Sequence, residues 1–147
     1  MGIKRLRAVL DTNIYVAAYL AKNPNSPTAE LLKRWRYGEF DVLYCREMLY
    51  EIARKFRDRG IPPRYTIALI SDLKSIGQAV PLQPYEVTPI ILDDPDDDIL
   101  VACATVGGAT HIVTYDPHFE VLGGEYEGIR ILDGLHFLYV VRGDVKP

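Results

Sequence analysis

Leu6-Arg7-Ala8-Val9-Leu10-Asp11-Thr12-Asn13 is the stretch on which the fold turns. Residues 6–10 are short and aliphatic on both faces, follow a basic start at Lys4, Arg5 and Arg7, and stop at a carboxylate. Such a run reads as a parallel strand buried on both sides, because a strand with one face in water would alternate. Residues 112–114, between Gly107-Gly108 and Asp116-Pro117, have the same form. Residues 42–44 and 129–132 are two further candidates.

Helical periodicity fills the space between these strands. Residues 28–37 carry Ala29, Leu31, Leu32 and Trp35, and residues 47–57 carry a stripe of Met48, Leu49, Ile52, Ala53 and Phe56. Residues 65–76 and 99–106 complete the set. Strands alternating with helices predict an α/β fold, a central parallel sheet with helices on both faces. Residues 78–95 are looser, punctuated by Pro81, Pro84, Pro89 and Pro95. No repeat, low-complexity tract or linker divides the 147 residues, so 1–147 is read as a single domain. The C-terminus admits two readings. Asp133-Gly134 between residues 128–132 and 135–141 is a hairpin signal, yet Asp133 could equally cap a helix over 135–141.

With 48% hydrophobic and 25% charged residues the composition is that of a folded globular chain, which excludes a disordered one. Cys45 and Cys103 each stand alone in an apolar stretch, with no CxxC or CxxH pair, and are read as buried free thiols rather than zinc ligands. Neither a signal peptide nor an apolar run of membrane-spanning length is visible, so a soluble, cytoplasmic protein is expected. The net charge of −3 conceals an asymmetry. Up to Arg64 there are 13 Lys or Arg against 7 Asp or Glu; beyond it there are 4 against 13. A basic face in the first half could hold a phosphate backbone, although solvated helix faces explain each cluster equally well.

In an open α/β sheet, ligands gather beyond the carboxyl ends of the strands. Asp11 sits at one such end and Asp116 at another. A third acid comes from the run Asp93-Asp94-Pro95-Asp96-Asp97-Asp98, whose last member, Asp98, opens the helix over 99–106, where the helix dipole favours an anion. Others of the run must be caps or solvated charges. The fourth lies on the helix after Cys45. With about 100° per residue, Glu47 points roughly 170° from the centre of the apolar stripe and Glu51 about 130°, so Glu51 is nearer the packed edge and the better candidate. Each acid alone has a structural explanation. Together they crowd charge in a way that is costly without cations, and an all-oxygen set suits hard Mg²⁺ or Mn²⁺.

These segments resemble the PIN-domain family, and within it the bacterial and archaeal toxin-like ribonucleases similar to VapC. The matching stretches are Val9-Leu10-Asp11-Thr12-Asn13-Ile14, Cys45-Arg46-Glu47-Met48-Leu49-Tyr50-Glu51-Ile52, the run from Asp94 to Ala104, and that from Ala109 to Asp116. The resemblance implies that Asp11, Glu51, Asp98 and Asp116 hold Mg²⁺ or Mn²⁺, that Asn13 supports Asp11 by hydrogen bonding, and that Thr114 lies beside the fourth acid. It implies an α/β/α sandwich whose last segment is a strand followed by a helix, which favours the helical reading of 135–141. It further implies an RNA substrate, a homodimer and an antitoxin partner. His118, two residues beyond Asp116, departs from the acidic or basic residue common in relatives; it is read as a turn residue, and His111 and His136 as structural.

The chemistry expected is metal-assisted hydrolysis of phosphodiester bonds, leaving 5′-phosphate and 3′-hydroxyl ends. Arg46 and Arg54 are read as guides for the backbone. Tyr15, Tyr19, Leu20 and Trp35 could furnish an apolar groove for a partner, although aromatic residues at helical spacing are more often core. Three rivals share the pattern. A receiver domain needs a lysine near a late strand end, yet only Lys74 and Lys146 follow Arg64. A phosphatase with an aspartyl nucleophile wants an acid where Asn13 stands. A non-catalytic RNA- or protein-binding module stays open as the alternative, with the presence of all four acids arguing against it.

Overall fold

Side chains along the strands alternate between two cores, and that alternation places the helices. The computed structural model describes residues 5–91 and 94–147, so Lys4 and Asp93 lie outside the described residues. In chain order the elements are β1 (Arg7–Leu10), α1 (Thr12–Leu20), α2 (Pro27–Arg36), β2 (Asp41–Tyr44), α3 (Arg46–Asp58), α4 (Pro63–Ile76) and β3 (Gln78–Ala79). They continue with α5 (Pro95–Gly107), β4 (His111–Val113), a 3₁₀ segment at Pro117–Leu122, β5 (Glu125–Tyr126), β6 (Ile129–Leu132) and α6 (Gly134–Arg142).

Ala8, Leu10, Val42, Tyr44 and Val113 enter one core, where α1, α2, α3, α4 and α6 bring Ile14, Tyr15, Trp35, Phe56, Leu69 and Phe137. Val9, Leu43 and Ile112 face the other core, where they meet α5 through Leu100, Val101, Cys103 and Ala104, with Phe119 and Ile129 beside them. One helix therefore covers what five cover on the opposite face. It can do so because Ala102, Cys103 and Ala104 are small and let α5 lie close to the sheet. Gly107 ends this helix where an added Cβ would collide with Leu43 and Val80.

The sheet order is β3-β2-β1-β4-β6-β5, and every neighbouring pair is parallel except β5 with β6. The fold is thus the expected α/β sandwich, with one antiparallel edge that the sequence reading missed. From β1 the chain builds outward through β2 to β3; it then returns to β4, on the other side of β1. The strand order reverses between β1 and β4, which is where crevices form in such sheets.

At the C-terminus the helical reading holds: Asp133 caps α6 by accepting from the His136 N–H at 2.8 Å. A hairpin does exist, but it precedes β6. Glu127 and Gly128 both have positive φ, 48° and 83°, the two-residue geometry that joins β5 to β6. The helix α1 carried no stripe to find, because it is apolar along most of its length. Cys45 and Cys103 are buried free thiols, as expected.

Candidate metal centre

Asp11 follows β1 directly, and its N–H donates to the Val113 carbonyl of β4 at 2.9 Å, so the β-ladder itself fixes its backbone. The side chain is 4% exposed and caps nothing, although it stands at the N-terminus of α1. What holds it is Thr114, whose hydroxyl donates to Asp11 Oδ2 at 2.7 Å. The same hydroxyl oxygen accepts from the Asp116 N–H at 2.9 Å. One buried threonine therefore ties the first acid to the backbone of the fourth. Asp116 caps the 3₁₀ segment, accepting from the His118 N–H at 2.9 Å.

The acidic run at the start of α5 divides by position on the helix. Asp94 is the N-cap and accepts from the Asp96 N–H at 2.9 Å. Asp96 turns outward to Arg54 on α3, at 3.4 Å. Asp97, 5% exposed, turns inward and joins Asp11 and Asp116, with carboxylate oxygens of the three all within 4.8 Å of one another. Asp94, Asp97 and His118 form a second group by the same criterion, so Asp97 belongs to both.

Asp98 does not join this cluster. One residue along a helix is a rotation of about 100°, and its Oδ1 accepts instead from the N–H groups of Ile90, at 3.0 Å, and Ile91, at 2.7 Å. Its carboxylate organises the proline-rich segment ahead of α5. Asp97 therefore stands in the convergent group where Asp98 was expected, because the helix begins at Pro95, earlier than the apolar pattern from Ile99 implied.

Glu51 is brought to the rim. It lies close enough to Asp11 to raise its pKa, but its carboxylate pairs with Lys55 Nζ at 3.0 Å, one turn along α3. Asn13, expected to support Asp11, accepts from the same Lys55 amine at 3.4 Å. Asn13 is on the exposed side of α1, toward α3, and the hydrogen bond to the Asp11 carboxylate comes from Thr114. His118 was read as an uninvolved turn residue, yet its Nδ1 lies 3.2 Å from Asp97 and 3.4 Å from Asp116. No spacing rule could have shown this, since the contact spans two elements.

The electrostatics are those of crowded anions. Burial pushes the Asp97 carboxyl up to about 7; His118 works against this, while Asp116, Asp94 and Asp11 add to it. Burial likewise raises Asp11, with Thr114 and Lys55 opposing and Glu51 and Asp116 reinforcing. Three convergent carboxylates, two of them with raised pKa values, form a place where a hard dication would relieve repulsion, so the residues fit a divalent metal. His111, by contrast, is buried against Phe137, and burial holds its pKa down to about 4.

The remaining sequence candidates sort simply. Arg46 lies over the Tyr50 ring at 5.6 Å, and Arg54 is engaged with Asp96. Tyr15 and Trp35 are core, whereas Leu20 is exposed. Among known families, the model described as PIN domain matches residues 7–118, more than half of the chain. No curated protein matches it.

Proposed function

Since the chain belongs to the PIN-domain family, whose members are typically metal-dependent nucleases, we propose that it is a ribonuclease that hydrolyses phosphodiester bonds with Mg²⁺ or Mn²⁺. The observation that carries this reading is the convergence of Asp11, Asp97 and Asp116 where the strand order reverses. These three residues would hold the ion. When bound, it lowers the pKa of a water and neutralises charge on the scissile phosphate.

The protein's own groups do the rest. Thr114 keeps one Asp11 oxygen pinned and leaves the other for the ion. Asp97 acts as a ligand in its ionised form, which burial disfavours and His118, with Nδ1 at 3.2 Å, favours. Asp98 keeps the segment before α5 in position and so fixes the start of the helix that carries Asp97.

The finer assignment is a toxin of a toxin–antitoxin pair: a cytoplasmic homodimer that cuts RNA and is restrained by a small antitoxin protein. It rests on the resemblance to VapC-like ribonucleases. No helix among the described residues is long and apolar enough to cross a membrane. The test is the chemistry of the product ends. RNA cleaved in Mn²⁺ should carry 5′-phosphate and 3′-hydroxyl ends, since water attacks phosphorus directly. Ends bearing 2′,3′-cyclic phosphate would show attack by the 2′-hydroxyl and overturn the metal-assisted route.

A further inference from the structure

Lys55 sits among carboxylates, and every contact it makes points to a cation kept in the cleft. Its Nζ donates to Glu51 at 3.0 Å and to Asn13 Oδ1 at 3.4 Å, joining α3 to α1 beside the acid cluster. Burial alone would lower its pKa, but Glu51, Asp11 and Asp94 outweigh burial and raise it, so the amine is an ammonium at neutral pH. Its side chain is one-third exposed and Glu51's is 15% exposed, so the ammonium is paired without being sealed from solvent. The other cations near the cleft are differently placed: Arg54 is spent on Asp96, and Arg46 on Tyr50.

Resting on the nuclease reading above, we propose that Lys55 binds a phosphate of the nucleic acid beside the metal, with Glu51 and Asn13 as its positioning residues. Glu51 is then the anchor of a lysine and not a ligand of the ion. Two features favour this division. Glu51 already has a cationic partner, since its Oε1 lies 3.0 Å from the Lys55 ammonium. The cleft also carries five acids, Asp11, Glu51, Asp94, Asp97 and Asp116, and a polyanion entering it needs a positive group that metal ligands cannot supply. Lys55 reaches from α3 to act electrostatically on Asp11 and Asp94, so a phosphate bound to it would lie beside those acids.

Two titrations on the full chain test this. The first measures anisotropy of a fluorescein-labelled single-stranded RNA, with Ca²⁺ filling the acid cluster, across a range of salt. Lys55→Met should weaken binding about five- to tenfold and make the salt slope shallower by about 0.7, the share of one phosphate contact, while Lys55→Arg should keep the slope. The second follows Mn²⁺ binding by calorimetry. Lys55→Met should bind Mn²⁺ at least as tightly as the intact protein, and Glu51→Gln should change affinity less than about threefold, against more than about tenfold for Asp97→Asn. An unchanged slope and affinity in Lys55→Met would remove the Lys55 assignment alone. A loss of Mn²⁺ affinity in Glu51→Gln equal to that in Asp97→Asn would return Glu51 to the metal. Failure of every form to bind the RNA would remove the nucleic-acid reading and this proposal with it.

Discussion

Exchanging Asp97 for Asn should make the metal-free protein more stable. The folded state raises this carboxyl from 3.8 to about 7, chiefly by burial. A raised carboxyl pKa means that the folded chain holds the proton more tightly than the unfolded one. The stability linked to that proton is therefore fully present below the unfolded value and is lost as pH rises through about 7. At about 1.4 kcal/mol per unit, the whole shift corresponds to roughly 4 kcal/mol. The neighbouring His118 and Asp116 side chains are partly exposed, so solvent screens the penalty, and about 2 kcal/mol is the working figure. Asn has the same shape and never ionises. At about pH 8 in EDTA, Asp97→Asn should thus melt roughly 4–8 °C above the intact protein. The gap should close steadily as the pH is lowered toward about 4.5.

Asp98→Ala supplies the contrast. It strands the Ile90 and Ile91 N–H groups without an acceptor and should cost about 2–3 kcal/mol. Thermal melts by intrinsic fluorescence, run in parallel at several pH values, measure both. If Asp97→Asn melts at or below the intact protein at about pH 8, or if Asp98→Ala is the stabilising variant, the assignment of Asp97 to the cluster is wrong.

Three further outcomes follow from the geometry. Thr114→Val removes the donor to Asp11 and the acceptor for the Asp116 N–H; it should cost about 1–2 kcal/mol in urea unfolding and weaken Mn²⁺ binding about tenfold by calorimetry. Tyr15 is fully buried with a hydroxyl that has no hydrogen-bond partner among the described residues, so Tyr15→Phe should stabilise the fold by about 1 kcal/mol in the same unfolding assay. Gly107→Ala places a methyl group against Leu43 and Val80 and should destabilise by about 1–3 kcal/mol, read as a lower melting temperature.

Much of the architecture was legible because burial writes itself into short aliphatic runs. Residues 6–10 and 112–114 correspond to β1 and β4, and both end at the acids that meet in the cluster. The order of the elements, together with turn formers at each boundary, was enough to imply a parallel sheet. What stayed hidden had no period to show. The strands β3 and β5 are two residues each, too short for alternation, and α1 is apolar with no polar face to contrast against.

The acid cluster was legible in part: Asp11 and Asp116 converge, whereas Asp97 stands where Asp98 was expected, and Asn13 and Glu51 both meet Lys55. In a run of aspartates every member has the same chemistry, so only the helix start decides which one faces inward. Pro95 marks that start, since proline suits the first turn of a helix, and counting from it places Asp97 and Asp98 about 100° apart. Thr114 was placed correctly beside the fourth acid, but its reach to Asp11 depends on the β1–β4 register. The parts played by Lys55 and His118 arise from contacts between elements far apart in sequence, which no local pattern announces.

Cleavage of a labelled structured RNA, followed in Mg²⁺, Mn²⁺ or EDTA with the intact protein and with Asp11→Asn, tests the central claim most directly. Cleavage should require either ion, stop in EDTA and fall at least about a hundredfold in the variant, which keeps the shape of the side chain but removes one of the three proposed carboxylate ligands. Cleavage that persists in EDTA, or that survives in Asp11→Asn at the rate of the intact protein, would contradict it.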